Sequence, residues 1–379
     1  MDSKIHVVQA TVSNDRGGLT GYILHNYRLI DKEKFEISLL TYENELDFKD
    51  TLPKKGEEIV LISKPTKLYQ YYKCLKNIRK NRNDIIHFNL SYANFVPVVL
   101  ARLAGYKNVI VHSHSTEIDD GNNVKRLIKK AIHFVGKHIV VPNLANDYWS
   151  CSDWASSWMF SSSIIKKNKV FFAHNAISLN KYIFDKSKRE RKRKELNLQD
   201  STICLGHIGR FSYQKNHEFL IEILNVLIKK GVDAKLLLIG GTQGGESYFE
   251  STVAKIKEYS LEDSVLILGI RDDVPDILQA MDWFLLPSRF EGLGIVGIEA
   301  QASGLSCIFS DLVPSEVMVH NNTKFLTITD SKAWADYIYT NLNQNRVIEQ
   351  DSLVAAGYSD KEEILKVESR YKNIVKTIE

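Results

Sequence analysis

Residues 283–299 read Trp-Phe-Leu-Leu-Pro-Ser-Arg-Phe-Glu-Gly-Leu-Gly-Ile-Val-Gly-Ile-Glu, which is a short apolar run, a glycine turn and the start of a helical segment. This order of strand, turn and helix is the repeating unit of a parallel α/β sheet. Ligands bind such sheets beyond the carboxyl ends of the strands, and free amide groups at the start of the following helix favour anions. The stretch therefore predicts an α/β fold with an anion site at the glycine turn.

The same alternation extends along the whole chain of 379 residues. Its apolar runs are rich in Val and Ile and mostly lack polar alternation, which is typical of strands buried on both faces. We predict an α/β protein with two doubly wound domains, because this length exceeds the usual size of one domain. The strands are expected to begin at Ile5, Phe35, Glu58, Ile85, Val109, Ile139, Tyr148 and Val170, and then at Thr202, Ala234, Val265, Trp283, Cys307 and Phe325.

A run of basic residues from 186 to 195 is the most abrupt change in composition. We place the domain boundary just before it, which gives a first domain over residues 1–182 and a second over 183–360. The closing segment 361–379 has apolar residues at helical spacing and is expected to join the first domain as an amphipathic helix. The basic run is interpreted as the solvated face of a helix, and contact with anionic lipid or acceptor is the alternative.

The bulk composition excludes several classes of protein. The net charge of +4 is too small to indicate binding of nucleic acid, and no long apolar run predicts a membrane-spanning helix. The chain opens on a strand-like segment where a secreted protein has a signal peptide, so we expect a cytoplasmic protein. The four cysteines are far apart and form no C-x-x-C pair, so we expect them to be reduced and buried.

The loop between residues 205 and 217 carries two cations between a predicted strand and an amphipathic helix. Arg210 and Lys215 lie where a ligand of an α/β sheet binds, and two charged donors can hold a diphosphate from two directions. Gly209 lets the backbone come close to such a ligand. A surface loop with two ordinary basic residues is the alternative that position alone leaves open.

The glycine turn carries two glutamates, Glu291 in the loop and Glu299 in the helix. Their E-x7-E spacing directs them to different parts of one ligand, and the hydroxyls of a sugar and a ribose suit carboxylate acceptors. Residues 292–297 also match G-x-G-x-x-G, with Asp311 following, which is the fingerprint of a dinucleotide-binding unit. Against that alternative, the glycines do not follow the strand directly and lie too late in the chain for a full dinucleotide domain.

Taken in order, these motifs resemble those of the family 4 retaining glycosyltransferases, which have the GT-B fold of two facing Rossmann-like domains. The resemblance covers nearly the whole chain. The segment Ile110-Val-His-Ser-His-Ser115 is most similar to the group that builds bacterial capsular polysaccharides and exopolysaccharides. The other motifs are Arg16-Gly-Gly-Leu-Thr20 for the glycine loop, His174-Asn-Ala-Ile177 for the hinge, Gly209-Arg-Phe211 with Gln214-Lys-Asn216 for the donor phosphates, Leu268 to Pro275 for the base, and Glu291 to Glu299 for the sugar and ribose.

The resemblance implies roles for individual residues. Arg210 and Lys215 would bind the diphosphate, Glu299 the ribose and Glu291 the donor sugar. A histidine would lie near the anomeric carbon; we assign His114, although His112 points to the same face of its strand. The catalytic residues are thus expected to be His114, Glu291, Arg210 and Lys215, and the donor-binding residues Gly17, Gly18, Gly209, Arg210, Lys215, Arg271, Glu291, Gly292, Leu293, Gly294 and Glu299.

The resemblance also implies the reaction, which is transfer of a hexose from a nucleotide sugar, preferably a UDP-sugar, to a saccharide or lipid-linked acceptor in polysaccharide synthesis. Retention is expected to proceed on one face of the sugar, with the departing phosphate taking the acceptor proton. The sequence has no D-x-D motif, the usual carboxylate pair for a metal-bound diphosphate, so we expect neither a metal nor a cofactor. A sugar-nucleotide epimerase of the same fold and a non-catalytic partner subunit are the alternatives.

Residues 124–137 combine apolar residues at helical spacing with five lysines and arginines. Such a basic amphipathic helix binds anionic membrane surfaces, and it also occurs as a domain helix with a wet outer face. Because lipid-linked acceptors are held at the membrane, peripheral association with the inner face of the cell membrane is a further expectation.

Overall fold

The computed structural model describes residues 4–14, 17–46, 59–120, 122–242 and 245–376. The chain forms two units, one of Met1–Asn175 with Lys361–Glu379 and the other of Ala176–Asp360. It therefore enters the second unit after Asn175 and not after residue 182. The reason is that the intervening segment bonds within the second unit, where the Ile177 N–H donates to the Tyr358 carbonyl at 3.0 Å.

The first unit is built on a parallel sheet whose short strands are mostly buried on both faces. Glu58, our predicted start of the third strand, lies outside the described residues. The strands are β1 Ile5–Val12, β2 Phe35–Thr41, β3 Ile59–Leu61, β4 Ile85–Leu90, β5 Asn108–Ser113, β6 Asp147–Ser150 and β7 Val170–Phe172. Their order in the sheet is β3-β2-β1-β4-β5-β6-β7.

Helices cover both faces of this sheet and bury one apolar cluster against each face. A π-helical segment, Gly136–Val140, joins the fourth and fifth of them into one continuous helical segment. The helices are α1 Gly18–Leu29, α2 Leu68–Ile78, α3 Phe95–Leu103, α4 Asn123–Val135, α5 Val141–Leu144, α6 Asp153–Met159 and α7 Ser162–Ile165.

The second unit repeats this plan with a parallel sheet in the order β10-β9-β8-β11-β12-β13, whose strands are β8 Ile203–Ile208, β9 Ala234–Ile239, β10 Val265–Gly269, β11 Trp283–Leu286, β12 Ser306–Ser310 and β13 Thr323–Leu326. Two 3₁₀ turns, Leu179–Lys181 and Ser315–Val317, occur beside its helices. The helices are α8 Lys186–Glu195, α9 His217–Lys229, α10 Glu246–Glu258, α11 Val274–Ala280, α12 Ile295–Ala302, α13 Ser331–Thr340 and α14 Asp351–Ala355.

The closing helix, α15 Asp360–Lys376, packs on the first unit. Its side chains Ile364, Val367, Tyr371 and Ile374 are buried in the same cluster as the inner residues of β1 and β2. Leu365, on the opposite side of the helix, is 63% exposed. The amphipathic pattern therefore marks the buried face of this helix, and residues 377–379 lie outside the described residues.

The α/β, doubly wound fold is confirmed, but the strand that we expected at Ile139 is wrong. Residues 136–144 are helical, and the sheet resumes only at Asp147. A short apolar run does not distinguish a buried strand from a helix by pattern alone. Gly136, at the start of this helical segment, packs so closely on Ala93 that a Cβ would lie 1.9 Å from the Ala93 carbonyl oxygen, which explains why glycine is needed there.

The interpretation of residues 186–195 as a solvated helical face describes one side of the helix, where Lys186, Arg191 and Lys194 are exposed, but not the other side, which packs on the protein. Arg193 is 2% exposed, and it donates to the Ala280 carbonyl at 2.9 Å and to Asp282. Arg189 donates to the Met281 carbonyl at 2.8 Å and pairs with Asp282 at 2.6 Å. These cations bind the carboxyl end of α11, where the helix dipole and unpaired carbonyls favour positive charge.

Each sheet reverses its strand order at one point, between β1 and β4 in the first unit and between β8 and β11 in the second. Loops that leave neighbouring strands in opposite directions open a crevice there, and ligands of such sheets bind in it. The carboxyl ends of these four strands are therefore the places to look for function. Among the described residues, no helix has the length and apolar character needed to cross a membrane.

Candidate active site

The reversal point of the second unit brings together the two motifs that the sequence predicts to bind a donor. The loop of residues 209–216 leaves β8, and residues 287–294 leave the adjacent strand β11. A backbone hydrogen bond joins the loops directly, because the Arg289 N–H donates to the Gln214 carbonyl at 2.8 Å. The two anion sites expected from the sequence thus form one cluster.

The centre of this cluster is an ion pair between Lys215 Nζ and Glu291 Oε1, 2.6 Å apart. The Ser288 hydroxyl donates to the same oxygen at 2.7 Å, and the Gln214 amide donates to Oε2 at 3.3 Å. The side chains of Lys215 and Glu291 are 15% and 9% exposed. A mostly buried, charge-assisted contact of this kind is stronger than an exposed one and fixes both groups in place.

Gly209 makes room for the lysine. A Cβ at Gly209 would lie 2.9 Å from Lys215 Cδ and 2.9 Å from His207 Nε2, closer than non-bonded atoms approach. The start of the loop is fixed to the neighbouring strand, since the Gly209 N–H donates to the Ile239 carbonyl at 2.8 Å. Arg210 follows at once and is half-buried at the strand end.

Arg289 holds the two loops together and was missed by the sequence analysis. Its guanidinium donates to Asn216 Oδ1 at 2.8 Å and lies 4.4 Å from the centre of the Tyr213 ring. Asn216 has a left-handed backbone with a φ of 58°, which places its side chain under the loop. A signal was present in the sequence, because Arg289 lies in the loop that follows the strand predicted at Trp283, close to Glu291.

The glycine turn behaves as the sequence predicts. Gly294 has a φ of +90° and precedes α12, a conformation that favours glycine. Leu293 is buried in the core of the unit, and Gly292 is buried beside Glu291. Gly297, the last glycine of the G-x-G-x-x-G match, packs against Phe309, whose ring carbon would lie 2.9 Å from a Cβ. Its glycine is thus explained by packing between α12 and β12.

Glu299 is bonded to Tyr182, in surroundings that favour the protonated form of its carboxyl more than water does. Burial raises the pKa of its carboxyl to about 7, although the Tyr182 hydroxyl, which donates to it at 2.8 Å, partly opposes the shift. Tyr182 was not predicted, because its sequence position, 117 residues before Glu299, gives no hint of the contact. The carboxyl therefore gains or loses its proton near neutral pH.

Arg271 stands in an ion network at the start of α11. It makes two bonds of 2.7 Å with Asp273, and Lys192 of α8 also reaches Asp273 at 2.7 Å. The bond from Arg271 lowers the pKa of the Asp273 carboxyl, with that from Lys192 adding to it. Arg271 therefore forms ion pairs with Asp273 and Glu195, and it lies in the loop just after the carboxyl end of β10.

In the first unit, the predicted glycines and histidines lie at strand ends on the reversal side. Gly17 caps α1, with its carbonyl accepting from the Gly21 N–H at 2.9 Å, and Gly18 is the first residue of that helix. Arg16 of the same motif lies outside the described residues. The ring of Tyr22, one turn into α1, lies 5.0 Å from both His112 and His114.

The structure separates the two histidines that the pattern left equivalent. His112 is fully buried, and its Nδ1 lies 3.2 Å from His87 Nε2. His114 is only partly buried, and its Nε2 lies 2.9 Å from Asn89 Oδ1. Burial lowers the pKa of His114 to about 3, so the imidazole is neutral. His114 is therefore the better placed of the two to meet a ligand.

Metal ligands were not expected, and the described part of the chain contains no cluster of three or more His, Cys, Asp or Glu side chains that could hold an ion. Side chains carry the charges at the reversal point of the second unit. Lys215 and Arg210 supply them in the loop after β8.

Comparison with known proteins identifies the second unit. Residues 188–360 match the family described as glycosyl transferases group 1, a range that includes Arg210, Lys215, Glu291 and Glu299. The chain is 26% identical to a putative glycosyltransferase, EpsF, of Bacillus subtilis, over 83% of this chain and 81% of that protein. It is 28% identical to the Escherichia coli UDP-Gal:alpha-D-GlcNAc-diphosphoundecaprenol alpha-1,3-galactosyltransferase, over 84% of this chain and 82% of that protein.

The fold has a solved counterpart in Anabaena Alr3699/HepE in complex with UDP-glucose. The two structures agree with a TM-score of 0.74 over 99% of both chains, at 17% sequence identity. At that identity the agreement speaks for the fold alone. Together, the matched region, the relatives and the fold confirm the resemblance that the motifs indicated.

Proposed function

Since this chain is a GT-B glycosyltransferase similar to those of bacterial capsular and exopolysaccharide synthesis, we propose that it transfers a hexose, with retention, from a UDP-sugar to a saccharide or lipid-linked acceptor. The observation that carries the proposal is the Lys215–Glu291 cluster at the reversal point of the second sheet. A cation and a carboxylate side by side suit a ligand that has a diphosphate next to a sugar.

The cluster matches the charge that develops during transfer. When the bond to the donor sugar breaks, the diphosphate leaving group gains negative charge, and fixed donors aimed at it lower the barrier. Lys215 and Arg210 would supply that field, and the amides of the turn at 292–294 would add to it. Glu291 would accept hydrogen bonds from hydroxyls of the sugar, and Glu299 from the ribose.

We propose retention from the resemblance to the family, and independence of metal from the side-chain cations of the site. The side-chain cations take the place that a divalent ion holds on the diphosphate in enzymes with a D-x-D motif, which this sequence lacks. We expect full turnover in EDTA and a product with the anomeric configuration of the donor, read by NMR. Loss of activity on chelation, restored by a divalent ion, would refute the first claim; an inverted product or a trapped glycosyl-enzyme would refute the second.

UDP is supported as the nucleotide by similarity alone. The Escherichia coli relative is named for a UDP-Gal donor, and the HepE structure contains UDP-glucose. A thermal-shift screen of UDP-, GDP- and ADP-sugars tests this choice, and the UDP series should give the largest stabilisation. Incubation of the preferred donor without acceptor then separates transfer from epimerisation, because only an epimerase would convert the donor sugar on its own.

The acceptor side is supported by the surface of α4. Its apolar residues Val124, Leu127 and Ile128 are 68%, 70% and 55% exposed, although apolar faces of domain helices are normally buried. Lysines and arginines alternate with them along the helix. Exposed apolar side chains among cations fit the interface of an anionic membrane, where a lipid-linked acceptor resides.

A second exposed surface in the same unit has the same character. Leu68, Tyr69 and Leu103 line an apolar groove of about 330 Å³ between α2 and α3. Their side chains are 55%, 72% and 67% exposed. Residues 59–83, which include α2, carry seven lysines and arginines and no acidic residue. Apolar contact with cationic flanks is thus a property of more than one helix of the first unit.

Vesicle sedimentation tests the membrane proposal. Leu127→Glu should reduce binding to vesicles that contain anionic lipid, and high salt should weaken binding of the unmodified protein. Leu365→Glu is the matched control, because Leu365 is a similarly exposed leucine on the outer face of α15. Equal binding of both variants, or binding that ignores lipid charge, would contradict the proposal.

A further inference from the structure

Six buried or half-buried polar side chains form a connected chain at the reversal point of the first sheet. They extend from the hydroxyl of Tyr371 on α15 to the imidazole of His114 at the end of β5. Gln9 and Asn89 link the two, while His87 and His112 form a second branch that begins at Tyr371. These four side chains are each no more than 5% exposed. Buried polar groups need hydrogen-bond partners, so the directions of these bonds constrain one another.

The chain has one fixed point, which is the amide of Asn89. Its Nδ2 lies 3.4 Å from the Ala10 carbonyl oxygen and 2.9 Å from Gln9 Oε1. The opposite amide orientation would place oxygen against the carbonyl oxygen, which accepts only, so the nitrogen belongs there. Asn89 Oδ1 therefore faces His114 Nε2 at 2.9 Å, and His114 must carry its proton on Nε2.

The other branch follows from the same fixed point. Gln9 accepts from Asn89 with Oε1, so its Nε2 donates to the Tyr371 hydroxyl oxygen at 2.8 Å. That hydroxyl then donates to His87 Nδ1, also at 2.8 Å. The proton of His87 is thus on Nε2 and is donated to His112 Nδ1 at 3.2 Å.

The outcome is a single tautomer for each histidine of the chain. His114 Nδ1 carries a lone pair, and within the described residues this buried nitrogen has no hydrogen-bond partner. His6, near the amino end of β1 in the same sheet, has no such unpaired ring nitrogen. Its Nδ1 lies 2.8 Å from Asp84 and its Nε2 2.9 Å from Ser38, so both ring nitrogens are used within the protein.

We propose that Asn89, Gln9 and Tyr371 are positioning residues that hold His114 in the Nε2–H tautomer, so that its Nδ1 accepts a hydrogen bond from a hydroxyl of the sugar substrate. Because Nε2–H is committed to Asn89, His114 has no proton to give to a ligand. It acts as an acceptor that orients the sugar and not as a general acid. This inference rests on the proposed function, since it takes a sugar as the ligand.

Imidazole nitrogen NMR on protein labelled with ¹⁵N-histidine tests the tautomer without any substrate. The signals of His114 are identified by their absence in His114→Gln. The expected result at neutral pH is a protonated Nε2 and an unprotonated Nδ1, and this fixed pattern should be lost in Asn89→Leu, which removes the acceptor of Nε2–H. A proton on Nδ1 of His114, or an unchanged tautomer in Asn89→Leu, would overturn the proposal.

Kinetics with the preferred nucleotide sugar test the consequence. Asn89→Leu and Tyr371→Phe should lower kcat by on the order of tenfold to a hundredfold, the usual effect of misplacing a group at the reacting centre. Tyr148→Phe is the control, since it removes a hydroxyl that donates to the Ala145 carbonyl at 3.0 Å in the same unit, away from the histidines. Wild-type kcat in Asn89→Leu would overturn the proposal.

The affinity for UDP, which we place on the second unit, separates this test from that of the proposed function. It should be unchanged in all three variants, which also shows that each is folded. If the unmodified protein transferred no sugar from any nucleotide donor, the proposed function would fail while the NMR result could still stand.

Discussion

The two units place polar side chains at the same point of the same kind of sheet, yet they arrange them by opposite means. In the second unit the site is ionic, with Lys215 and Glu291 2.6 Å apart. In the first it is neutral, and His114 is held by Asn89 through a chain of amide, hydroxyl and imidazole groups. The same sheet architecture therefore supports two kinds of site, one that pairs opposite charges and one that fixes the direction of hydrogen bonds.

The difference has a physical origin in what each site would meet. A diphosphate needs positive charge, and a buried cation is tolerated in the absence of ligand only when it is paired, which Glu291 provides. A sugar hydroxyl needs one acceptor in one orientation, and neutral buried groups supply that without the cost of burying charge. Removal of the Lys215 cation from the ionic site should therefore have an effect at least as large as removal of the Asn89 amide from the neutral one.

The largest effect is expected from Lys215→Met, which removes the paired cation and keeps most of the side-chain volume. We predict a fall in kcat of about 100-fold, or about 3 kcal/mol, because the leaving group loses a fixed positive partner. Lys229→Met, at an exposed lysine at the end of α9, is the control and should keep wild-type turnover. Normal turnover in Lys215→Met would remove the basis for the ionic site, and Arg210→Ala provides an independent repeat.

A smaller effect, on stability, is expected from Glu299→Gln. The folded carboxyl has a pKa of about 7 and the ordinary value is 4.5, so the folded protein holds a proton that the unfolded chain releases between these pH values. This contribution to stability is present below pH 4.5 and is lost as pH rises through about 7. Relative to Glu299→Gln, the wild type should lose about 3 kcal/mol of unfolding free energy over that range.

Chemical denaturation at pH 4.5, 6 and 8 measures this difference. Gln retains an oxygen that accepts from Tyr182, so the contact itself is preserved in the variant. If the difference in unfolding free energy between wild type and Glu299→Gln were the same at all three pH values, folding would not raise the pKa of the Glu299 carboxyl. The charged character of the ionic site would then extend to both glutamates.

The smallest effect is expected from Gly209→Ala. The added methyl group would press on Lys215 Cδ and His207 Nε2, each 2.9 Å away, and turn the ammonium away from Glu291. We predict a loss of turnover of roughly tenfold, since the cation is displaced and not removed. Gly21→Ala, where a Cβ meets nothing within 4 Å, is the control. An active Gly209→Ala enzyme would show that the position of Lys215 is less constrained than its packing indicates.

The ionic site could largely be predicted from the sequence, whereas the neutral site could not. Lys215 and Glu291 both lie in loops that leave the carboxyl ends of predicted strands, so the rule for parallel sheets places them at the same edge of the sheet. Asn89 and Gln9 lie in the neighbouring strands β4 and β1, but Tyr371 contacts Gln9 from a helix 362 residues away in the sequence. No local sequence pattern predicts that contact. Tyr182 was missed beside Glu299 for the same reason.

The errors in the interpretation of the fold have the same cause. Residues 136–144 have an apolar composition that suits a strand, yet their backbone is helical, and Gly136 packs closely on Ala93. The charges of Arg189 and Arg193 suit a wet surface, and only the presence of Asp282 and the end of α11 shows where they bind. Local composition therefore predicts the element, and tertiary contacts decide its partners.

The most direct test of the ionic site compares the affinities of uridine and UDP for wild type and Lys215→Met by calorimetry. The ratio of the two dissociation constants isolates the diphosphate, because the nucleoside is common to both ligands. If Lys215 binds the diphosphate, the preference for UDP over uridine should fall by roughly tenfold to a hundredfold in Lys215→Met, the worth of one charge-assisted hydrogen bond. An equal preference in both proteins would contradict the account.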